Sequence, residues 1–209
     1  MDGQEATVKI KNVVASGSLD QRLDLETILK FSPGLAYKPR GFPGVIYRLR
    51  KPKTSIIIFG SGKMICTGAR SEKEARKAIL KLVEEFRRSG IVILNEPDIK
   101  VQNVVATAEL SGRIDLEKIA LAFSRTVYEP DQFPALIHRM EDPEVSVLLF
   151  ASGKIVCAGA RNEREARIAI AALLESLKRE GAIYRQASER SVAEPIEKYA
   201  SLKPPLIQT

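Results

Sequence analysis

The sequence predicts an α+β fold built as two pseudo-twofold repeats. Three observations carry the prediction. The chain matches itself without a gap when slid by 91 positions. Each copy holds short β-branched runs of strand character, and each ends in a stretch with apolar residues at helical spacing. Comparing 8–90 with 99–181, about 37 of 83 aligned pairs are identical, far above chance for unrelated segments. The clearest matches are Lys9-Ile10-Lys11-Asn12-Val13-Val14-Ala15 on Lys100-Val101-Gln102-Asn103-Val104-Val105-Ala106, and Phe59-Gly60-Ser61-Gly62-Lys63 on Phe150-Ala151-Ser152-Gly153-Lys154. The repeats are therefore read as 7–91 and 98–182, joined near Asn95-Glu96-Pro97-Asp98, with 183–209 as a tail that is partly ordered at best.

Taken in order, residues 8–15 are a β-branched run that suits a strand. Asp24 is the expected N-cap of a short helix opening at Leu25. Residues 37–42 hold Pro39 and Gly41 and so form a turn or exposed loop. Val45 to Leu49 and Ser55 to Phe59 read as strands. Ser61-Gly62 turns the chain tightly into a further strand, 63–68, which makes a hairpin. Ser71 and Glu74 form a capping box that starts a long helix, whose apolar stripe is Ala75, Ala78, Ile79, Leu82, Val83 and Phe86. In the second copy Asn162 and Glu165 take the capping positions, and Ile170, Leu173, Leu174 and Leu177 form the stripe.

Composition narrows the function. The 209 residues carry 33 Lys+Arg against 26 Asp+Glu, a net charge of +7. No apolar run approaches the roughly 20 residues needed to span a bilayer, and the N-terminus lacks the layout of a signal peptide. Two cysteines and one histidine leave little room for a disulfide scaffold, a metal site or imidazole chemistry. Composition thus leans away from a hydrolytic enzyme and toward an anionic binding partner, with no cofactor and no metal expected.

The strands sharpen this. A long amphipathic helix covers one side of a sheet. Alternation puts Met64, Cys66 and Gly68 on one face and Lys63, Ile65 and Thr67 on the other. The neighbouring strand puts Ile56 and Ile58 on one face and Ile57 and Phe59 on the other. Both faces are apolar, so the uncovered one is either a binding surface or is covered by another part of this chain or by a second chain. On these residues alone both readings stand.

The doubled motifs Asn-Val-Val-Ala, Tyr-x-Pro-x-x-Phe-Pro (Tyr37 to Pro43 and Tyr128 to Pro134), Phe-x-Ser-Gly-Lys and Gly-Ala-Arg resemble the TATA-box-binding protein family over nearly all of residues 7–182. The resemblance implies a saddle-shaped, curved antiparallel sheet with helices on the convex face and DNA on the concave face. It also implies an archaeal-type member, since the long low-complexity N-terminal extension of many eukaryotic relatives is absent. Such a protein is a general transcription factor that binds the minor groove of A·T-rich promoter DNA and nucleates the initiation complex. It would be cytoplasmic and nucleoid-associated, or nuclear in a eukaryote. It would be a monomer on DNA and capable of dimerising off it.

By the same resemblance Phe42, Phe59, Phe133 and Phe150 are wedges between base steps, an apolar ring replacing a lost stacking partner. This family is itself the usual illustration of that mechanism. Asn12 and Asn103 would donate to adenine N3 and thymine O2. Val14, Val105, Ile57, Leu148, Ile65 and Val156 would form an apolar floor that disfavours the guanine amino group, which would be buried there without an acceptor. Thr67 matches a base-contacting hydroxyl of the family, but its counterpart is Ala158, so one donor is missing. Arg48, Arg139, Lys63, Lys154, Arg70 and Arg161, with Ser61 and Ser152, match phosphate-facing positions, which set register and read no sequence.

Charge divides unequally, with net +9 over 1–91, −3 over 92–182 and +1 over the tail. Lys38 and Arg40 flank Pro39, whereas Glu129 and Asp131 flank the matching Pro130. The resemblance makes that acidic loop the contact for transcription factor B, through which RNA polymerase is reached indirectly. His138 aligns with Tyr47 and is read as a strand residue without chemistry. Cys66 and Cys157 share a repeat position and are read as buried free thiols. Pro195 is the expected start of a short tail helix carrying Ile196 and Tyr199. Two rivals remain. One is a helix-grip domain of a DNA-repair or ligand-binding protein, which would need a catalytic domain that the repeat leaves no room for. The other is a scaffold whose apolar face closes on a second copy.

Overall fold

Strict alternation over the first run produces strand β1 (Lys9–Ser18), with Val13, Ala15 and Gly17 buried and Asn12, Val14, Ser16 and Ser18 half-exposed. The computed structural model describes residues 6–31 and 36–184. The expected tail helix at Pro195 lies outside the described residues. After β1 come α1 (Leu25–Phe31), β2 (Ala36–Tyr37), β3 (Gly44–Leu49), β4 (Thr54–Phe59), β5 (Lys63–Ala69) and α2 (Glu72–Arg88). The second copy follows as β6 (Asp98–Glu109), β7 (Arg113–Ile114), α3 (Leu116–Ala122), β8 (Thr126–Val127), β9 (Ala135–Glu141), β10 (Glu144–Phe150), β11 (Lys154–Ala160), α4 (Glu163–Arg179) and β12 (Ile183–Tyr184).

The chain divides into two compact units. Among the described residues, one comprises Ile10–Val104 with Arg161–Glu163, and the other comprises Val105–Ala160, Arg164–Tyr184 and residues 6–9. In the first unit the strand order is β2-β3-β4-β5-β1. Its pairs β2/β3, β3/β4, β4/β5 and β5/β1 are antiparallel. In the second unit the order is β11-β10-β9-β8, again antiparallel. The two-residue strands β7 and β12 pair separately, Ile114 with Ile183.

The core of the first unit lies between the sheet and α2. Ala75, Ala78, Ile79, Leu82, Val83 and Phe86 are buried on the helix, against buried Val13, Ala15, Ile56, Ile58, Met64 and Cys66 of the sheet. Phe86 meets Tyr47 edge-on at 6.3 Å, and Tyr47 donates its hydroxyl to Glu85. In the second unit Ala166, Ala169, Ile170, Leu173 and Leu177 of α4 are buried, as are Val147, Leu149, Ile155 and Cys157 of the sheet.

The helix starts follow from local chemistry. Asp24 accepts the Glu26 backbone N–H at 3.1 Å and the Thr27 hydroxyl, and these bonds lower its pKa. Ser71 accepts the Glu74 N–H at 3.0 Å, while the Glu74 carboxylate reaches back to the Arg70 N–H, one residue before the cap. Asp115 caps α3 through the Lys118 N–H at 3.0 Å. A further arrangement had no sequence signal. The Glu72 N–H donates to the Glu163 carboxylate at 2.8 Å, and the Glu163 N–H donates to that of Glu72 at 2.6 Å, both residues belonging to the first unit.

One face assignment differs from expectation. Met64 and Cys66 are buried as expected, but Gly68 is exposed and Ala69 is buried in its place. Gly68 has a φ of +93°, and the β1/β5 register shifts between Val13 and Ala15, so a bulge inserts one residue and resets the alternation. Among the described residues no helix is long and apolar enough to cross a membrane.

Candidate nucleic-acid interface

The face of the first unit's sheet turned away from α2 is built from two cross-strand rows. Ile46 on β3, Ile57 on β4 and Ile65 on β5 sit directly opposite one another, and Ile65 continues to Ser16 on β1. Arg48, Ser55 and Thr67 form the next row. Ile65 is 38% exposed, a large apolar side chain in the middle of a sheet. Val14 lies on the same face. Asn12 is tied into this face: its Oδ1 accepts the Gly68 N–H at 2.8 Å, and its Nδ2 lies 3.3 Å from the Thr67 hydroxyl. Phe59 ends the row set, paired with Gly44 and set against Phe42 with ring centroids 6.3 Å apart. A Cβ on Gly44 would stand 3.2 Å from the Phe42 ring and 2.9 Å from the Ile58 carbonyl oxygen, so glycine lets the aromatic pair close on the strand.

The second unit repeats the plan with tighter packing. Ile137, Leu148 and Val156 form the apolar row, and Arg139, Ser146 and Ala158 form the next. Phe150 pairs with Ala135 and packs with Val156, while Val105, Phe133 and Leu148 lie against the group. Phe133 and Phe150 meet edge-on at 6.5 Å. Phe150 is 5% exposed and Val156 8%, so two expected groove residues are buried beneath their neighbours, unlike half-exposed Phe59 and exposed Ile65. Asn103, on β6, is half-buried.

Arg48 and Lys63 lie on the open face of the first unit's sheet, and Arg139 and Lys154 hold the matching strand positions of the second. Arg48, Lys63, Arg70, Arg139 and Arg161 are exposed and Lys154 is half-exposed. Arg48 is held over the Tyr37 ring, 5.0 Å from its centroid, and donates to its hydroxyl at 3.1 Å. Ser61 and Ser152 are exposed, and Ser61 Oγ accepts the Lys63 N–H at 3.5 Å, which shapes the hairpin turn. Glu129 and Asp131 are exposed in a turn whose Glu129 carbonyl accepts the N–H groups of Gln132 and Phe133 at 2.9 Å. The acidic pair therefore sits on the same turn that presents Phe133. In the matching basic turn Phe42 N–H donates to the Pro39 carbonyl at 3.1 Å, and Lys38 pairs with Glu26 at 3.4 Å.

A cleft of about 590 Å³ in the first unit is lined by Ser16, Phe59, Ser61, Lys63, Ile65 and Lys100 among others. Lys100 is paired with Asp98 at 2.8 Å, and Gln102 donates to the Ser16 hydroxyl at 2.7 Å. The thiols are free and buried; burial pushes Cys66 up to about 11 and Cys157 up to about 12. His138 lies on β9 with its ring 4.9 Å from Phe123 and its Nδ1 buried without a partner. Burial lowers its pKa, and nearby Arg125 adds to the effect.

Sequence reasoning passed over Ser55 and Ser146. They hold one repeat position and lie on the open face beside the residues it singled out, so the shift of 91 could have found them.

A family model described as "Transcription factor TFIID (or TATA-binding protein, TBP)" matches residues 7–89 and 98–180. The TATA-box-binding protein of Pyrodictium occultum is 45% identical over 177 residues, which cover 85% of this chain and 89% of that protein. That of Methanocaldococcus jannaschii is 44% identical over 174 residues, covering 83% of this chain and 95% of its own. Among solved structures, Methanococcus jannaschii TBP superposes with a TM-score of 0.74 at 44% identity, covering 82% of this chain and 98% of that one.

Proposed function

The chain belongs to the TATA-binding protein family, and from that premise we propose that it is a general transcription factor that binds the minor groove of A·T-rich promoter DNA. The observation that carries this reading is the doubled open face, an apolar row flanked by a row beginning in arginine, in each of two repeats. An apolar floor suits a groove whose A·T edges offer acceptors and no amino group. Flanking arginines and lysines suit phosphates. We assign the floor to Val14, Ile57, Ile65, Val105, Leu148 and Val156, polar base contacts to Asn12, Asn103 and Thr67, and wedging to the four phenylalanines. The repeats act as 7–91 and 98–182.

The acidic turn at Glu129 and Asp131 is poorly suited to DNA and well suited to a basic protein surface. We assign it to transcription factor B, with RNA polymerase recruited through that partner. The working place of the protein is the nucleoid, and its family is one of transcription factors and not of enzymes. The test is selection of binding sites from a random duplex pool, followed by footprinting with a minor-groove probe and sedimentation with and without the selected duplex. Enrichment of A·T-rich sites with minor-groove protection is expected. Enrichment of no sequence, together with a dimer that duplex does not dissociate, would favour the self-closing scaffold.

A further inference from the structure

We infer that Ser146 is the hydroxyl donor to the minor groove in the second repeat; this rests on the DNA-binding reading above. The residue missing from that repeat is clear from the rows. Arg48–Ser55–Thr67 holds two hydroxyls, and Arg139–Ser146–Ala158 holds one. In the first row the Thr67 hydroxyl is engaged with Asn12, at 3.3 Å and 3.4 Å from its amide atoms. In the second row position 158 carries no hydroxyl, and Ser146 stands directly opposite it on the adjoining strand. The loss of the threonine therefore leaves one polar side chain between Arg139 and the apolar Ala158.

Its setting fits a ligand that offers acceptors. Val145 and Val147 are buried on either side, so alternation turns Ser146 to the open face, beside Leu148 two residues along. The side chain is half-buried, and among the described residues it makes no hydrogen bond. An apolar surface laid over this face would strip the remaining water from the hydroxyl and leave it unsatisfied, at a penalty. The A·T minor groove presents adenine N3 and thymine O2, which accept. A groove of that kind would satisfy Ser146 while Leu148 and Val105 lie against the sugar and base edges.

The experiment measures binding of the full chain to an A·T-rich duplex in which each adenine in turn is replaced by 3-deazaadenine and each thymine by 2-thiothymine. The first removes a groove acceptor and the second weakens one. The parent chain should lose about five-fold in affinity at an acceptor in one half-site, the scale of one net hydrogen bond. Ser146→Ala should be weaker than the parent by that factor on unmodified duplex and insensitive to the analogue at that place. Ser146→Thr should retain the parent profile, and Ser146→Ala combined with Ala158→Thr should recover affinity. Identical profiles for the parent and Ser146→Ala would overturn the inference. So would a Ser146→Ala variant weakened only on guanine-containing duplexes, since the hydroxyl would then be accepting. A parent chain with no preference for A·T-rich over G·C-rich unmodified duplex would overturn the DNA-binding reading itself, and this inference with it.

Discussion

Truncating the two strand-borne phenylalanines should separate folding from binding, and the order of effects should invert between the two measurements. Phe150 is 5% exposed within a group containing Ala135 and Val156, covered by Val105, Phe133 and Leu148. Removing a buried phenylalanine side chain costs about 3–5 kcal/mol. Because this group lies at the open face of the sheet, Phe150→Ala should fall near the lower end, about 3 kcal/mol. Phe59 is half-exposed and set against Phe42, so Phe59→Ala should cost about half as much. On DNA the ranking reverses. Stacking a ring on a base is worth about 1–3 kcal/mol, or about five-fold to over a hundred-fold in Kd. As a wedge, Phe59 would offer that ring with little to give up. Phe150 would first have to leave its packed group, so part of its gain on DNA would already be spent in the free protein. Urea unfolding should therefore rank Phe150→Ala as the more damaging variant, and equilibrium binding with a fluorescence measure of bending should rank Phe59→Ala at least as damaging. The same order in both assays would refute the packing argument, and an unchanged bend in both variants would refute the wedge.

Three further expectations are independent of that one. Reversing the acidic turn with Glu129→Arg and Asp131→Arg should leave duplex binding intact or tighter and abolish the ternary complex with transcription factor B, whereas Arg40→Glu should weaken duplex binding and spare the partner; a gel shift with purified partner decides it. Burial lowers the His138 pKa, so the folded chain binds that proton less readily than the unfolded one, and stability is lost as pH falls through the unfolded value of about 6.5; His138→Phe should flatten that loss in urea midpoints measured on either side of it. A Cβ on Gly62, at φ +82°, would stand 2.1 Å from the Gln21 carbonyl oxygen, whereas one on Gly41, at φ +74°, would meet nothing within 4 Å. Gly41→Ala should cost about 1 kcal/mol for the left-handed backbone alone, and Gly62→Ala about 3 kcal/mol or more, because the clash also threatens the Leu19 N–H to Gly62 carbonyl bond; equal shifts in thermal unfolding would refute this.

The repeat made most of the fold legible, because two copies vote on each strand and helix. The capping box at Ser71 and the stripe ending at Phe86 were readable from spacing alone. The open face was readable as a face, since Ile57 and Ile65 fall on alternate positions of neighbouring strands. What escaped is what depends on more than spacing. Alternation groups Gly68 with Met64 and Cys66, and the bulge breaks that alternation. The burial of Phe150 and Val156 depends on how Ala135, Leu148 and Phe133 fill space, which no pattern of residue types specifies. The exchange of carboxylates between Glu72 and Glu163 joins residues far apart in sequence. The place of Ser146 opposite Ala158 is legible only through the pairing, since it is fixed by the register of β10 and β11 and not by a motif.

The near-identity of the rows Arg48–Ser55–Thr67 and Arg139–Ser146–Ala158 bears on which way transcription runs. A promoter has a direction, and on the DNA-binding reading two rows so alike would be poor at telling one end of a duplex from the other. Only residues that differ between the halves can bias the choice. A difference of one hydrogen bond, about 1 kcal/mol, gives about a five-fold bias. On that figure about one molecule in six would sit facing upstream. The chain alone is thus a poor compass. The larger contrast lies in the turns, basic at Lys38 and Arg40 and acidic at Glu129 and Asp131. A partner that grips only the acidic turn would convert a weak preference into a committed direction.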